Sequence, residues 1–141
     1  MASRPLDDRT VATLVATATA APSMHNAQPW RFRYLSAERL LLLRADPERA
    51  MPHSDPDNRA LHIGCGAALF NLRVACAHAD LVADTELLPE PGDPLLLAAV
   101  RLSAPLPHRP ADVELSRLHP AVRERHTSRH PFAETDIPGE V

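Results

Sequence analysis

Residues 21–30 have the sequence Ala21-Pro22-Ser23-Met24-His25-Asn26-Ala27-Gln28-Pro29-Trp30, and an alternating segment, Arg31-Phe32-Arg33-Tyr34, follows at once. Two prolines enclose hydroxyl, imidazole and carboxamide side chains, all of which can form hydrogen bonds with a ligand. The alternation after Trp30 predicts a β-strand, and the residues before Pro22 have the spacing of a helix. Because binding residues concentrate in loops held between such elements, the segment predicts a binding loop rather than a linker.

The same residues resemble a family signature. Their spacing is similar to A-P-S-x-x-N-x-Q-P-W-x-F in the nitroreductase-like FMN flavoproteins, and in particular to the Acg-type branch, whose chains contain two nitroreductase-like halves in tandem. The resemblance implies that Pro22, Ser23, Asn26 and Gln28 contact the edge of the flavin. His25 occupies a variable position of the signature and receives no catalytic role.

A purely structural interpretation of this loop is the alternative. Ser23 and Asn26 are both of the residue types that form turns through their own side chains. Trp30 would then be a core aromatic residue, as in many α+β domains. The residues alone leave this alternative open, and the family resemblance favours the binding loop.

The composition restricts the class of protein. A chain of 141 residues with 45% hydrophobic content suits one soluble globular domain. The net charge of -3 predicts no surface for nucleic acid. The sequence contains no lysine, which excludes a Walker-type phosphate loop, Schiff-base catalysis and pyridoxal-phosphate chemistry. A bound phosphate would therefore have to be held by arginine, hydroxyl groups and backbone amides.

The sequence also predicts a reducing, cytoplasmic location. No apolar run approaches the roughly 18 residues of a membrane helix, and residues 1–8 contain no apolar signal core. Cys65 and Cys76 fall in one predicted helix, about 16 Å apart at its usual rise per residue, which is too far for a disulfide. We expect both to be small buried hydrophobic residues.

The remaining pattern predicts an α+β fold. Apolar residues at helical spacing in residues 7–20 predict an amphipathic helix that Pro22 ends. Residues 31–35 and 39–45 predict a hairpin, in which Leu40 to Leu43 would be covered on both faces, and residues 82–88 and 94–102 predict two more strands. With the resemblance, this implies part of a nitroreductase-like fold, a mixed or antiparallel sheet with a long buried central helix.

Residues 58–79 are expected to form that central helix. Asp57 is the predicted N-cap, and apolar residues over most of the circumference predict burial on most sides. Gly64 and Gly66 each cost about 1 kcal/mol relative to alanine inside a helix, so both predict the close approach of another segment or a ligand. Residues 59–72 also resemble the Acg-type counterpart of the family's long helix.

A predicted helix from Asp112 to about Arg125 leads into a cluster of arginines. The segment from Arg123 to Phe132 resembles R-x-T-x-R-x-P-F, the form of the FMN-phosphate motif in the Acg-type second half. The resemblance implies that Arg125, Thr127 and Arg129 hold the FMN phosphate. Guanidinium forks and hydroxyl groups suit that chemistry.

Two other interpretations of this cluster follow from the residues. On charge alone it could be a solvated basic end of a helix, which the helix dipole favours. His126 and His130 lie four residues apart and could bind a metal on one helical face. Pro131 would break such a helix, and no carboxylate or thiol partner lies nearby, so we expect no metal.

The resemblance covers residues 1–110 as the N-terminal half of an Acg-type tandem and residues 111–141 as the truncated start of a second half. It implies an FMN-dependent oxidoreductase that moves a hydride from NAD(P)H through the flavin to a nitroaromatic or quinone-like small aromatic acceptor, with no catalytic side chain. The alternatives are a non-catalytic FMN-binding or FMN-sequestering protein and a cofactor-free interaction fragment. Because a second half is missing, a homodimer or a complementary half-domain is the expected partner.

Overall fold

A computed structural model of the chain describes residues 6–136 and Gly139. Its helices and strands are α1 (Asp8–Ala18), β1 (Trp30–Leu35), β2 (Leu40–Ala45), α2 (Arg59–His78), β3 (Val82–Leu87), β4 (Leu96–Ser103), α3 (Val113–Ser116) and α4 (His119–Glu124). Two 3-10 turns, Met24–Asn26 and Pro47–Arg49, lie in the connections. The expectations for residues 1–5 and for the last residues of the tail lie outside the described residues.

The strands form one antiparallel sheet in the order β1-β2-β4-β3. β1 and β2 make the expected hairpin, with Trp30 opposite Ala45 and Leu35 opposite Leu40. α2 leads from β2 to the edge strand β3, and β4 then returns between β2 and β3. The expected fold class, an α+β sheet with a long central helix, is confirmed.

α1 and α2 pack on one face of this sheet. Leu14 of α1, Leu72 of α2 and Val100 of β4 are almost completely buried in one cluster. A second cluster, which includes Trp30 and Cys65, lies beside the 21–30 loop. Burial of each such leucine or valine side chain stabilises the fold by roughly 1.5–3 kcal/mol. The two clusters therefore hold α2 against both the sheet and the loop.

Burial of the Leu40 to Leu43 run alternates along β2. Leu41 and Leu43 are buried, whereas Leu40 and Leu42 are only half-buried. The expectation that both faces are covered was wrong. The reason is that α1 and α2 both pack on the face that carries Leu41, so the period of two along the strand decides which leucines are buried.

The boundaries of both long helices differ from the expected ones. α1 ends at Ala18, two residues before the expected end at residue 20, and the chain continues from it in a few turn-like hydrogen bonds. α2 begins after Asn58, whose φ of 55° is left-handed and which makes no side-chain cap. Asp55 and not Asp57 caps α2: its carboxylate accepts the N–H groups of the helix residues 60 and 61 at 3.0 and 2.9 Å.

α2 is not buried over most of its circumference. Leu72 is fully buried, but Ile63 and Phe70 on the outer side are 64% and 45% exposed. The expectation that no segment has the length and apolarity of a membrane helix was wrong: among the described residues, α2 meets both criteria, and half of its apolar stretch is buried. Its outer apolar side is therefore available to a partner.

The helix expected from Asp112 to about Arg125 is two short helices, α3 and α4. In a continuous helix the residue at position 120 would donate its N–H to the carbonyl of Ser116, and Pro120 has no N–H to donate. Pro120 instead lies in the first turn of α4, where proline is well tolerated. The chain therefore bends before it reaches the arginine cluster.

Replacing Gly66 with alanine is expected to stabilise the protein by up to about 1 kcal/mol, because Gly66 lies inside α2 and nothing lies within 4 Å of the added Cβ. Gly64→Ala is the matched control: its Cβ would lie 3.4 Å from the Cβ of Ser23, so a smaller gain is expected. Chemical denaturation of both variants measures the difference. A loss of stability in Gly66→Ala would reveal a contact at this face.

Candidate functional site

The loop between α1 and β1 has an unusual backbone. The 3-10 turn Met24–Asn26 lies at its centre, and His25, Asn26 and Gln28 have φ values of 51°, 55° and 51°. Left-handed conformations cost a non-glycine residue roughly 1–2 kcal/mol, although asparagine tolerates them better than most. Three such residues within four positions require strong support from their surroundings, and such strain is often found at functional sites.

Ser23 supplies part of that support. Its Oγ accepts the backbone N–H of Gln28 at 2.9 Å, and its carbonyl oxygen accepts the N–H of Asn26 at 2.9 Å. The side chain therefore has the turn-forming role of the structural interpretation. Its hydroxyl hydrogen is still available for donation, so the predicted flavin contact of Ser23 stays a prediction.

Two residues of α2, Gly64 and Cys65, contact the loop. Gly64 lies against Ser23 and the carbonyl of Pro22, so the close approach predicted for Gly64 is observed, whereas Gly66 has no neighbour within 4 Å. The Sγ of Cys65 donates to the carbonyl of Pro29 at 3.3 Å. Burial raises the pKa of Cys65 to about 11 and that of Cys76 to about 12, so both thiols are neutral, and both cysteines are free and buried as expected.

The predicted flavin contacts lie at the outer side of the loop. Pro22 and Asn26 are exposed, and Ser23 and Gln28 are half-buried. Among the residues that the structure describes, the carboxamides of Asn26 and Gln28 have no hydrogen-bond partner. Gln28 also lines an open cleft of about 470 Å³, whose further walls are the start of β1, the end of α1, and Asp46 with the turn Pro47–Arg49. These polar groups are therefore free to bind a ligand.

One residue of the arginine cluster contacts Ala20, which immediately precedes this loop. Arg125 donates from Nη2 to the carbonyl of Ala20 at 3.2 Å and from Nη1 to the Oγ of Thr127 at 2.8 Å. Arg129 follows in an exposed segment. The structure thus brings one of the three predicted phosphate ligands, Arg125, into contact with the residue that precedes Ala21, and Thr127 lies against Arg125. All three predicted ligands are open to solvent.

The metal interpretation of the same segment finds no support in the described chain. His126 and His130 lie beyond the end of α4, in a segment without helical structure. Among the described residues, no group of three or more histidine, cysteine, aspartate or glutamate side chains could hold a metal ion.

A pair of stacked histidines joins α4 to the end of α2. The rings of His78, at the end of α2, and His119, at the start of α4, stack with centroids 3.8 Å apart and an angle of 6° between their planes. Val122 of α4 is buried as well. The pKa of His119 is lowered from its ordinary value of 6.5, first by burial and then by the charges of His78 and Arg123.

This pair predicts that acid weakens the attachment of α4. Because the attached state lowers the pKa of His119, its contribution to stability is complete above the ordinary pKa and decreases as the pH falls toward the lowered value. We expect the Tm of the wild type to fall more than that of His119→Phe, which keeps a ring but does not titrate, between about pH 7.5 and 5. Parallel losses of Tm in both proteins would contradict this.

Two further residues, Asp46 and Arg49, hold the loop and were not expected from the sequence. Asp46 is buried, and Arg49 donates to backbone carbonyls of the loop. A signal for Asp46 exists, because an aspartate followed by Pro47 at the end of a strand is typical of the start of a helical turn. Nothing local in the sequence shows that this turn contacts residues 27–29.

Comparison with known proteins identifies relatives of the chain. No protein-family profile matches it. It is 39% identical over 127 residues to "Putative NAD(P)H nitroreductase acg" of Mycobacterium tuberculosis (strain H37Rv), an alignment that covers 88% of this chain and 36% of that protein. The chain therefore spans about a third of the length of the curated relatives it matches.

Solved structures share the fold. A "Putative NADH dehydrogenase/NAD(P)H nitroreductase" from Parabacteroides distasonis superposes with a TM-score of 0.61 at 18% identity, over 78% of this chain and 82% of that one. A "putative nitroreductase in complex with FMN" from Desulfovibrio desulfuricans gives a TM-score of 0.55 at 20% identity, over 95% and 88%. The resemblance found in the sequence is thus confirmed: the chain is similar in sequence to curated proteins named as nitroreductases, and it shares the fold of solved nitroreductase-family structures.

Proposed function

We propose that this chain forms an FMN site of an oxidoreductase of the nitroreductase type, which uses NAD(P)H to reduce a nitroaromatic or quinone-like acceptor. The observation that carries the proposal is the contact of Arg125 with Ala20, which joins the phosphate-type motif to the loop of residues 21–30. The names of the relatives and the FMN complex of one structural neighbour support the same proposal.

The chemistry of the available groups fits FMN. A phosphate dianion would be held by the guanidinium groups of Arg125 and Arg129 and by the hydroxyl of Thr127, since charge-assisted hydrogen bonds to arginine are short and strong. Arg125 is already held beside Ala20 and Thr127, so part of the entropic cost of ordering it is met before the ligand binds.

The loop residues would orient the flavin ring. Asn26 and Gln28 each offer a free carboxamide, which both donates and accepts, and the edge of a flavin ring has groups of both kinds. Pro22 would contribute apolar contact, and the hydroxyl of Ser23 a further donor. When bound, FMN supplies the hydride chemistry, so the side chains of this chain bind and orient the ring and transfer no proton.

A partner is proposed for the outer side of α2. Ile63 and Phe70 on this side, together with Leu87 and Leu88 at the end of β3, are exposed apolar residues, and a groove of about 190 Å³ runs between α2 and this strand end. We propose a homodimer or a complementary half-domain here, with residues 1–110 as the first half and residues 111–141 as the start of the second. The cytoplasm is the proposed location.

A turnover assay tests the proposed oxidoreductase activity. The purified chain is mixed with FMN, NADPH or NADH and a quinone under anaerobic conditions, and the oxidation of the nucleotide is followed by absorbance. We expect a rate above that of free FMN at the same concentration. FMN binding without turnover would assign the non-catalytic, FMN-sequestering alternative, and no binding would assign the cofactor-free interaction fragment.

A further inference from the structure

The end of the loop at Ala27 to Pro29 is held from the neighbouring turn Pro47–Arg49. The backbone N–H of Asp46 donates to the carbonyl of Pro29 at 2.9 Å. Nη1 of Arg49 lies 3.3 Å from the carbonyl oxygen of Ala27 and 3.4 Å from that of Gln28. The carbonyl oxygen of Pro29 also accepts a hydrogen bond from the Sγ of Cys65 in α2, so the end of the loop is held by both the turn and α2.

Asp46 organises this turn. Its Oδ1 accepts the N–H of Glu48 at 3.1 Å, and its carbonyl oxygen accepts the N–H of Arg49 at 3.1 Å. Its Oδ2 lies 2.9 Å from Nε of Arg31 and 3.6 Å from Nε of Arg49. One carboxylate therefore joins the start of β1, the turn after β2 and, through Arg49, the loop.

The carboxylate of Asp46 is ionised and almost completely enclosed. The residue is only 4% exposed, and its pKa is lowered, chiefly by the hydrogen bond from Arg31. A buried charge is costly unless its partners satisfy it, and Arg31, at 2.9 Å, is the main partner of Asp46. Arg49 forms a longer ion pair with the same oxygen, at 3.6 Å. Because Asp46 and Glu48 already pair with these arginines, the turn is not an anion site.

We propose that Asp46 is a positioning residue for the loop. By fixing Arg49 and the turn Pro47–Arg49, it holds the backbone of Ala27 and Gln28 in the conformation that presents the Asn26 and Gln28 carboxamides to a ligand. Asp46 itself contacts no ligand. The inference deepens the proposed function and rests on it, since the ligand is the proposed FMN.

Asp46→Asn tests the proposal, with Asp93→Asn as the matched control. Asp93 also pairs with an arginine, Arg44, at 2.6 Å, but it has no contact with the loop. We expect the Kd for FMN to rise about tenfold in Asp46→Asn, in line with the loss of one charged hydrogen-bonding group, and to change less than about twofold in Asp93→Asn. Thermal unfolding of both variants separates general loss of stability from loss of affinity.

A double variant tests whether Asp46 acts on the loop through Arg49. If Asp46 acts through Arg49, the double variant Asp46→Asn/Arg49→Ala loses no more FMN affinity than the worse single variant. Fully additive losses, or equal Kd values in Asp46→Asn and Asp93→Asn, would overturn the positioning role.

The loop can also be followed without flavin. We expect the backbone amide signal of Gln28, in an NMR spectrum of the flavin-free protein, to shift in Asp46→Asn and not in Asp93→Asn. If the wild type binds no FMN, the proposed function fails, and this signal alone then decides whether Asp46 sets the loop. An unchanged Gln28 amide in Asp46→Asn overturns the inference whether or not FMN binds.

Discussion

Replacing Arg125 and Arg129 together with alanine is expected to weaken FMN binding at least about a hundredfold. Hydrogen bonds to charged groups contribute about 1.5–3 kcal/mol each, and two lost phosphate contacts therefore correspond to about 3 kcal/mol or more. Arg125 also donates to Ala20, so its loss frees the segment from the loop as well. Fluorescence quenching of FMN measures the Kd of each protein.

The control for this pair is Arg101→Ala/Arg117→Ala, which removes the same charge elsewhere. Arg117 pairs with Glu114 on α3, and Arg101 donates to the carbonyl of Glu38, so neither contacts the loop or the arginine cluster. We expect this variant to bind FMN with nearly wild-type affinity. Equal losses in the two double variants would show that net charge, and not a phosphate site, controls binding.

Replacing Leu72 with alanine is expected to lower the free energy of unfolding by about 2–5 kcal/mol, which corresponds to a fall in Tm on the order of 10 °C. Leu72 is fully buried on the inner side of α2, in the cluster that joins α1, β2 and β4. Removing its side chain leaves a cavity between all of these elements. Denaturation in urea, followed by circular dichroism, measures the loss.

Leu106→Ala serves as the comparison for Leu72→Ala, because the Leu106 side chain is 52% exposed and the same atoms are removed. We expect its effect to stay within about 0.5 kcal/mol. A similar loss in both variants would mean that α2 does not pack in the core as described.

Local sequence patterns predicted most of the secondary structure. The alternation after Trp30 gave the hairpin of β1 and β2, and helical spacing gave α1 and α2. Periodicity shows which residues share a face but not which face is covered. The half-buried Leu40 and the exposed Ile63 were therefore assigned incorrectly.

The exact ends of helices depended on backbone details that periodicity does not show. Asp55 caps α2 from a position two residues before Asp57 because Asn58 turns the chain through a left-handed conformation. The effect of Pro120 could have been foreseen, since a proline at that position removes a hydrogen bond from any continuous helix.

The parts of the candidate site were predictable, but their arrangement was not. The loop and the arginine cluster are 105 positions apart at the contact between Ala20 and Arg125, and the packing of α3 and α4 on α2 brings them together. The stacked rings of His78 and His119 and the buried carboxylate of Asp46 are likewise tertiary features. The role of Gly64 was partly predictable: a glycine inside a helix predicts a close approach, but only the structure identifies Ser23 as the neighbour.

The most direct test of the account is an absorbance titration of the purified chain with FMN, with light scattering on the same sample to give its mass. We expect saturable changes in the flavin absorbance peaks on a species with the mass of two chains. No spectral change at FMN concentrations in large excess over the protein would contradict it, and would leave the chain with the family's fold but without its cofactor site.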